Sequence, residues 1–203
     1  AMSRRQRQMC IRDRYKLDSE IRERPSGQPQ AAVLIGLLNY NHLRDNPEII
    51  YTQRSKSMST HSGEVSFPGG KVEPNDKDLS HTALREANEE INLNSKDASL
   101  LGQMNYLISR HKIEVNPMVY EINAEQKFRA NSEIADIFTV PLNYLLDLKN
   151  IKKERIDRHG STWMVPTWEF NHQKIWGLTA MITVNFLNLC FDANITIDEA
   201  DSA

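Results

Sequence analysis

The chain has 203 residues, of which 39% are hydrophobic and 26% charged, and its formal net charge is −2. This balance excludes a protein that binds nucleic acid through bulk positive charge, and no apolar run is long enough to predict a membrane span. The two cysteines, Cys10 and Cys190, are too few for a disulfide framework, so a reducing, cytoplasmic location is expected.

The N-terminal part of the chain differs from the rest in composition. Residues 3–24 are rich in charge and predict a helix, and the prolines at 25 and 29 predict a break after it. We therefore divide the chain into an N-terminal helix with its linker (1–29), a central domain (30–195) and a C-terminal tail (196–203). The N-terminal helix either packs on the same domain or forms an arm that joins a homodimer.

The central domain reads as strands interrupted by helices. Apolar and β-branched runs predict strands at 31–38, 48–55, 100–109, 114–122, 134–140, 162–170 and 174–176. Asn171 and His172 predict the turn of a hairpin between the last two strands. Helices are predicted at 78–92, 141–148 and 177–191. Strands that alternate with helices in this way predict an α/β fold with helices on both faces of the sheet.

The first helix of this domain carries an acidic stripe beside an apolar one. At about 100° per residue, Glu86, Glu89 and Glu90 fall on one side, while Ala87 and Ile91 lie on the side that can dock on a core. Each like-charge pair costs about 0.2–0.5 kcal/mol in an isolated helix. The ordinary interpretation is a solvated acidic face. The alternative is a site for a hard divalent cation, Mg²⁺ or Mn²⁺, which takes carboxylate oxygens.

The residues around this helix favour the metal site. Gly69 and Gly70 precede it and let the backbone approach a metal or a phosphate, because they have no Cβ. Arg85 stands four residues before Glu89 and can hold that carboxylate in place. Either Asp76 or Asp78 can cap the start of the helix, and Asn92 can take the left-handed conformation at its end.

Together these residues resemble the signature of the Nudix hydrolases, G-x5-E-x7-R-E-U-x-E-E-x-G-U, where U is aliphatic. The matching residues are Gly70, Arg85, Glu86, Ala87, Glu89, Glu90 and Leu93. There are three departures: Asp76 replaces the first Glu, eight residues separate it from Arg85, and Asn92 replaces the late Gly. The resemblance implies an α/β/α sandwich with a mixed sheet, a catalytic loop-helix-loop and a nucleotide substrate.

The segment before the helix resembles the coenzyme A pyrophosphatase branch of that family. The matching residues are Arg54-Ser55, His61, Gly63-Glu64-Val65 and Phe67-Pro68-Gly69-Gly70. This resemblance implies hydrolysis of the diphosphate of coenzyme A or acyl-CoA to 3′,5′-ADP and 4′-phosphopantetheine. One alternative is another nucleoside diphosphate such as ADP-ribose. The other is a Nudix module that binds a nucleotide or a partner without catalysis.

The resemblance also implies roles for single residues. The general base is Glu89 or Glu90 within the helix, or the more distant Glu133, for which a surface position at a strand edge is the alternative. Arg54 and Ser55 are candidates for binding a substrate phosphate. The alternative for Arg54 is an ordinary surface arginine.

Overall fold

The computed structural model describes residues 27–39, 46–56, 62–123, 125–158 and 161–199. The helix predicted at 3–24 lies outside these residues, as does His61. Within the described residues no helix is long and apolar enough to cross a membrane.

A mixed sheet forms the centre of the fold. Strand β1 (Gln30–Leu38) pairs in parallel with β7 (Glu114–Ile122) on one side and antiparallel with β2 (Glu48–Arg54) on the other. The remaining strands of this sheet are β3 (Val65–Ser66), β4 (Gly69–Lys71), β5 (Ala98–Gln103), β6 (Leu107–Ile108) and β8 (Ile134–Pro141). Short β4 lies antiparallel to the first residues of β1, and β8 pairs with β2. The sheet is therefore mixed, as predicted.

Helices cover both faces of this sheet. Alternate residues of β1 point to opposite sides, so that Leu34 packs with Ala87 of helix α1 (Leu79–Ile91) in one core cluster. Ile35 belongs to the second cluster, with residues of helix α3 (Gly177–Phe191). The short helix α2 (Leu142–Leu146) adds to the second cluster and ends earlier than predicted, before a 3-10 turn at Leu148–Asn150. The predicted α/β/α arrangement is confirmed.

A second, smaller sheet packs beside α3. It consists of β9 (Lys152–Arg158), β10 (Ser161–Phe170), β11 (Gln173–Ile175) and β12 (Asp198–Glu199). The predicted hairpin is present, and both Asn171 (φ 47°) and His172 (φ 66°) take the left-handed conformation that a two-residue turn of this kind requires. Strand β9 was not predicted, because its charged sequence KKERIDR has no alternation of apolar residues.

One predicted strand, 100–109, is wrong as a continuous element. Gln103 lies opposite Met118 and Leu107 opposite Val115, so three residues of one strand face two of the other. Pro117 lies in this gap and has no N–H to donate, although its carbonyl oxygen accepts from Met104 at 3.0 Å. The chain therefore forms two strands, β5 and β6, separated by 104–106.

Helix α1 begins and ends where its sequence indicates. The Asp78 side chain accepts from the N–H of His81 at 2.7 Å, so Asp78 caps the helix and Asp76 does not. Asn92 has φ 57°, and its N–H donates to the carbonyl of Asn88 at 3.0 Å. The left-handed end predicted for Asn92 is thus confirmed, and the missing glycine costs the helix no hydrogen bond there.

Candidate active site

Two carboxylates of α1 converge on the glycines of β4. The N–H of Gly69 donates to Oε2 of Glu90 at 3.1 Å. The carboxylate of Glu86 lies so close to Gly70 that a Cβ at that position would overlap it. Because Glu86 and Glu90 are one helical turn apart, both reach the same short stretch of backbone. The absence of a Cβ at Gly70 is therefore a requirement of this arrangement.

Arg85 is fixed beside this pair by a partner that the sequence did not suggest. Its Nε and Nη2 donate to the two oxygens of Asp76, both at 3.0 Å, and Nη2 also donates to the carbonyl of Lys71 at 2.9 Å. Asp76 accepts a further bond from Thr82 at 2.9 Å, and its side chain is only 1% exposed. The Arg85 guanidinium holds the pKa of Asp76 well below its usual range. Asp76 is therefore ionised and anchors Arg85.

The remaining nitrogen of Arg85 faces the acidic stripe. Nη1 donates to Glu86 at 3.0 Å and to Glu89 at 3.4 Å. Glu89 is 54% exposed and lies on the outer side of the stripe, whereas Glu86 and Glu90 face the glycines. Arg85 thus contacts Glu86 more closely than Glu89, its predicted partner.

The donor set suits a hard cation, although the side chains alone do not enclose one. Across the described ranges, no group of three His, Cys, Asp or Glu side chains is arranged to hold a metal ion. Glu86 and Glu90 offer two carboxylates beside a stretch of backbone. Mg²⁺ keeps several waters and shares phosphate oxygens with its substrate, so an incomplete protein cage fits this ion.

Burial makes Glu90 an unusual carboxylate. Loss of solvent raises its pKa to about 7; Glu86 and Glu133 act in the same direction, and the Gly69 N–H and Arg54 oppose the rise. Burial also raises the pKa of Glu86. Two carboxylates that are difficult to ionise together favour a cation between them.

The raised pKa of Glu90 predicts how stability depends on pH in the metal-free protein. Relative to an ordinary value of 4.5, the protonated form favours folding. This contribution is fully present below about pH 4.5 and is lost as the pH rises through about 7. The Glu90→Gln substitution removes this pH dependence. In EDTA, the free energy of unfolding of the variant minus that of wild type should therefore rise by about 3 kcal/mol between acid and alkaline pH. Denaturant unfolding at about pH 4 and about pH 9 measures this, and an unchanged difference would contradict the buried position of Glu90.

The structure also brings two distant candidates to Glu90. Nη1 of Arg54 lies 3.5 Å from Oε1 of Glu90, and Nη2 lies 4.0 Å from Oε2 of Glu133. The N–H of Ser55 donates to the carbonyl of Glu133 at 2.7 Å. Nε of Arg54 is buried and meets no acceptor among the described residues. The Arg54 side chain is thus 20% exposed and lies between the carboxylates of Glu90 and Glu133.

Comparison with known proteins gives the family. The sequence profile of the NUDIX domain matches residues 29–164. The chain belongs to the Nudix hydrolase family. Members of this family are pyrophosphohydrolases that bind nucleotide substrates and generally use divalent ions such as Mg²⁺ or Mn²⁺.

Individual Nudix proteins agree with this assignment. Two curated relatives, each named "Uncharacterized Nudix hydrolase NudL", come from Yersinia pestis (strain Pestoides F) and Yersinia pseudotuberculosis serotype O:1b (strain IP 31758). Each is 37% identical over 154 residues, which is 75% of this chain and 75% of the relative. The solved structure of a MutT/nudix family protein from Enterococcus faecalis aligns with 95% of this chain over 76% of its own length, with a TM-score of 0.50 and 13% identity. At that identity the likeness concerns the Nudix fold alone.

Proposed function

We propose that this Nudix hydrolase uses Mg²⁺ or Mn²⁺ to cleave the diphosphate of coenzyme A or acyl-CoA. The observation that carries the proposal is the convergence of Glu86 and Glu90 on the Gly69–Gly70 backbone. These two carboxylates would hold the cation, with Glu89 at the outer edge of the stripe as the third predicted ligand. When bound, the cation supplies charge neutralisation for the diphosphate and a more acidic water.

The protein's own residues supply orientation and a proton acceptor. Asp76 holds Arg85, and Arg85 holds Glu86, so the acidic stripe keeps its geometry before substrate arrives. Within the helix, Glu90 is the buried candidate for the base, because its carboxylate faces the Gly69–Gly70 backbone where the cation and its water would bind. Glu89 is 54% exposed and lies at the outer edge of the stripe, away from the glycines, which makes it the weaker candidate within the helix. Glu133 remains the candidate outside the helix.

The choice of coenzyme A is supported by the segment before the helix. The N–H of Arg54 donates to the carbonyl of Glu64 at 2.9 Å, and the N–H of Gly63 donates to the carbonyl of Arg54 at 3.2 Å. These bonds pair Arg54 with Gly63 and Glu64, three of the residues that resemble the coenzyme A branch. The Nε of Arg54 meets no acceptor among the described residues, and coenzyme A carries a 3′-phosphate besides its diphosphate that an arginine can bind.

A substrate panel with Mg²⁺ and with Mn²⁺ tests this choice. It compares kcat/KM for coenzyme A, acetyl-CoA, dephospho-coenzyme A (which lacks the 3′-phosphate) and ADP-ribose. We expect coenzyme A and acetyl-CoA to be cleaved best, and dephospho-coenzyme A about tenfold less efficiently because one phosphate contact is lost. Clear turnover of ADP-ribose without turnover of coenzyme A would favour the alternative nucleoside diphosphate. Nucleotide binding without any cleavage would favour the non-catalytic module.

A further inference from the structure

Arg54 lies between two carboxylates that come from different parts of the chain. Its guanidinium is 3.5 Å from Glu90 on α1 and 4.0 Å from Glu133, which directly precedes β8. The side chain of Glu90 is 5% exposed, that of Arg54 20% and that of Glu133 49%. Glu90 is thus fixed by burial, and the Arg54 guanidinium is mostly enclosed. The Glu133 carboxylate is the one that is free to turn toward solvent.

A bulge in β8 brings Glu133 to this position. Gln53 lies opposite Asp136, but Arg54 lies opposite Ile134, so that Ala135 has no partner of its own. In a regular ladder Glu133 would lie opposite residue 56. With the bulge, its carbonyl accepts from the N–H of Ser55 instead. Bulges beside active sites commonly redirect a side chain in this way.

The turn before Glu133 is attached to α1 as well as to β2. The N–H of Asn131 donates to the carbonyl of Glu90 at 3.0 Å, and the Asn131 side chain accepts from the N–H of Glu133 at 2.9 Å. The backbone of 131–133 therefore connects the last turn of helix α1 with the end of strand β2. Glu90 and Glu133 carry like charges when ionised and repel each other, and the Arg54 guanidinium lies between them.

We propose that Arg54 is a positioning residue for diphosphate cleavage, which keeps Glu133 beside the Glu86–Glu90 pair through simultaneous ion pairs with Glu90 and Glu133. The inference rests on the proposed function of this site. In this proposal Arg54 fixes the arrangement of the enzyme's own carboxylates, in addition to any contact that it makes with a substrate phosphate. Without the guanidinium, repulsion from Glu90 would turn the exposed Glu133 side chain into solvent.

A double-mutant cycle on turnover tests the coupling. With dephospho-coenzyme A as the substrate, which has no 3′-phosphate for Arg54 to contact, we expect Arg54→Met and Glu133→Gln each to lower kcat by about tenfold or more, with KM changed by less than about threefold. The double variant should be no slower than the slower single variant, because both changes remove the same arrangement. Arg54→Lys keeps the charge and should recover part of kcat. Arg155→Met, at an exposed arginine paired with Asp157, is the matched control and should leave kcat unchanged.

Independent losses that multiply in the double variant would overturn the proposal. A large rise in KM with kcat unchanged would also overturn it, because that pattern indicates a phosphate contact alone. Glu133→Gln with full turnover would show that Glu133 is not used, and would overturn it equally.

A second readout needs neither metal nor substrate. A crystal structure of metal-free Arg54→Met should show the Glu133 carboxylate turned away from Glu90 into solvent, while Arg54→Lys and Arg155→Met keep it near its wild-type position. An unchanged Glu133 side chain in Arg54→Met would contradict the positioning role of Arg54. Because this readout uses the free protein, it separates the two ideas: a wild type that cleaves no diphosphate refutes the proposed function, whereas the position of Glu133 judges Arg54.

Discussion

The Glu90→Gln substitution is expected to lower kcat for diphosphate cleavage by about a thousandfold, the largest effect of any single change in this site. Glu90 is the buried carboxylate that meets the Gly69 N–H, and its charge is the one that Arg54 neutralises in the free protein. Glutamine keeps the size and one acceptor oxygen but removes the charge and the proton-accepting capacity. Steady-state turnover of coenzyme A under saturating Mg²⁺ measures the loss.

The neighbouring carboxylates provide the comparison. Glu89→Gln should cost less, about tenfold, because Glu89 contacts Arg85 at the outer edge of the stripe. Glu169→Gln changes an exposed glutamate paired with Lys152 and should leave kcat unchanged. The combined Glu89→Gln and Glu90→Gln variant should have no measurable hydrolysis. Turnover that survives in this combined variant would refute the metal site.

The second large effect is expected from Gly70→Ala, which should lower kcat by about a hundredfold with little loss of stability. A Cβ at Gly70 would overlap the Glu86 carboxylate, which is the far end of a flexible side chain and can move away. The protein therefore stays folded while one carboxylate is displaced, and a displacement of about 1 Å is enough for a loss of this size. Turnover and thermal unfolding of the same preparation measure the two quantities.

Gly69→Ala separates loss of structure from loss of chemistry. A Cβ at Gly69 would overlap backbone atoms of Ala32 and Val33, and the residue has φ +157°. Backbone cannot move aside as a carboxylate can, so Gly69→Ala should lower the melting temperature clearly and Gly70→Ala should not. Full turnover in Gly70→Ala would show that Glu86 does not need its observed position.

The strands and helices that could be predicted were those whose own residues show the hydrophobic pattern of that element. The apolar run of β1 and the closing helix α3 were predicted within one residue of their observed bounds. Strand β9 was missed because its sequence is almost entirely charged and its place is set by pairing with β10. The division of β5 from β6 depends on Pro117 of a neighbouring strand, so no local pattern in 100–109 contains it.

The same distinction applies to the site. The acidic stripe follows from helical periodicity, so the positions of Glu86 and Glu90 on one side of α1 were predictable. Helix geometry also places Glu89 at one margin of the stripe, about 100° from Glu90, but which margin faces the glycines depends on how α1 docks and could not be predicted. The anchoring of Arg85 by Asp76 spans a loop of irregular backbone, and the only signal for it was the place of Asp76 in the family signature. The bulge that moves Glu133 depends on pairing between β2 and β8.

Product analysis after incubation of coenzyme A with the protein and Mg²⁺ in ¹⁸O-labelled water is the most direct test of the central claim, hydrolysis of the diphosphate at the Glu86–Glu90 pair. We predict 3′,5′-ADP and 4′-phosphopantetheine in equal amounts, with one ¹⁸O atom in only one of the two products. EDTA should stop the reaction, and Glu90→Gln should slow it about a thousandfold. If coenzyme A stays intact while ADP-ribose is cleaved, the proposal that coenzyme A is the substrate is wrong. Cleavage that persists in EDTA would contradict a metal-dependent site at Glu86 and Glu90.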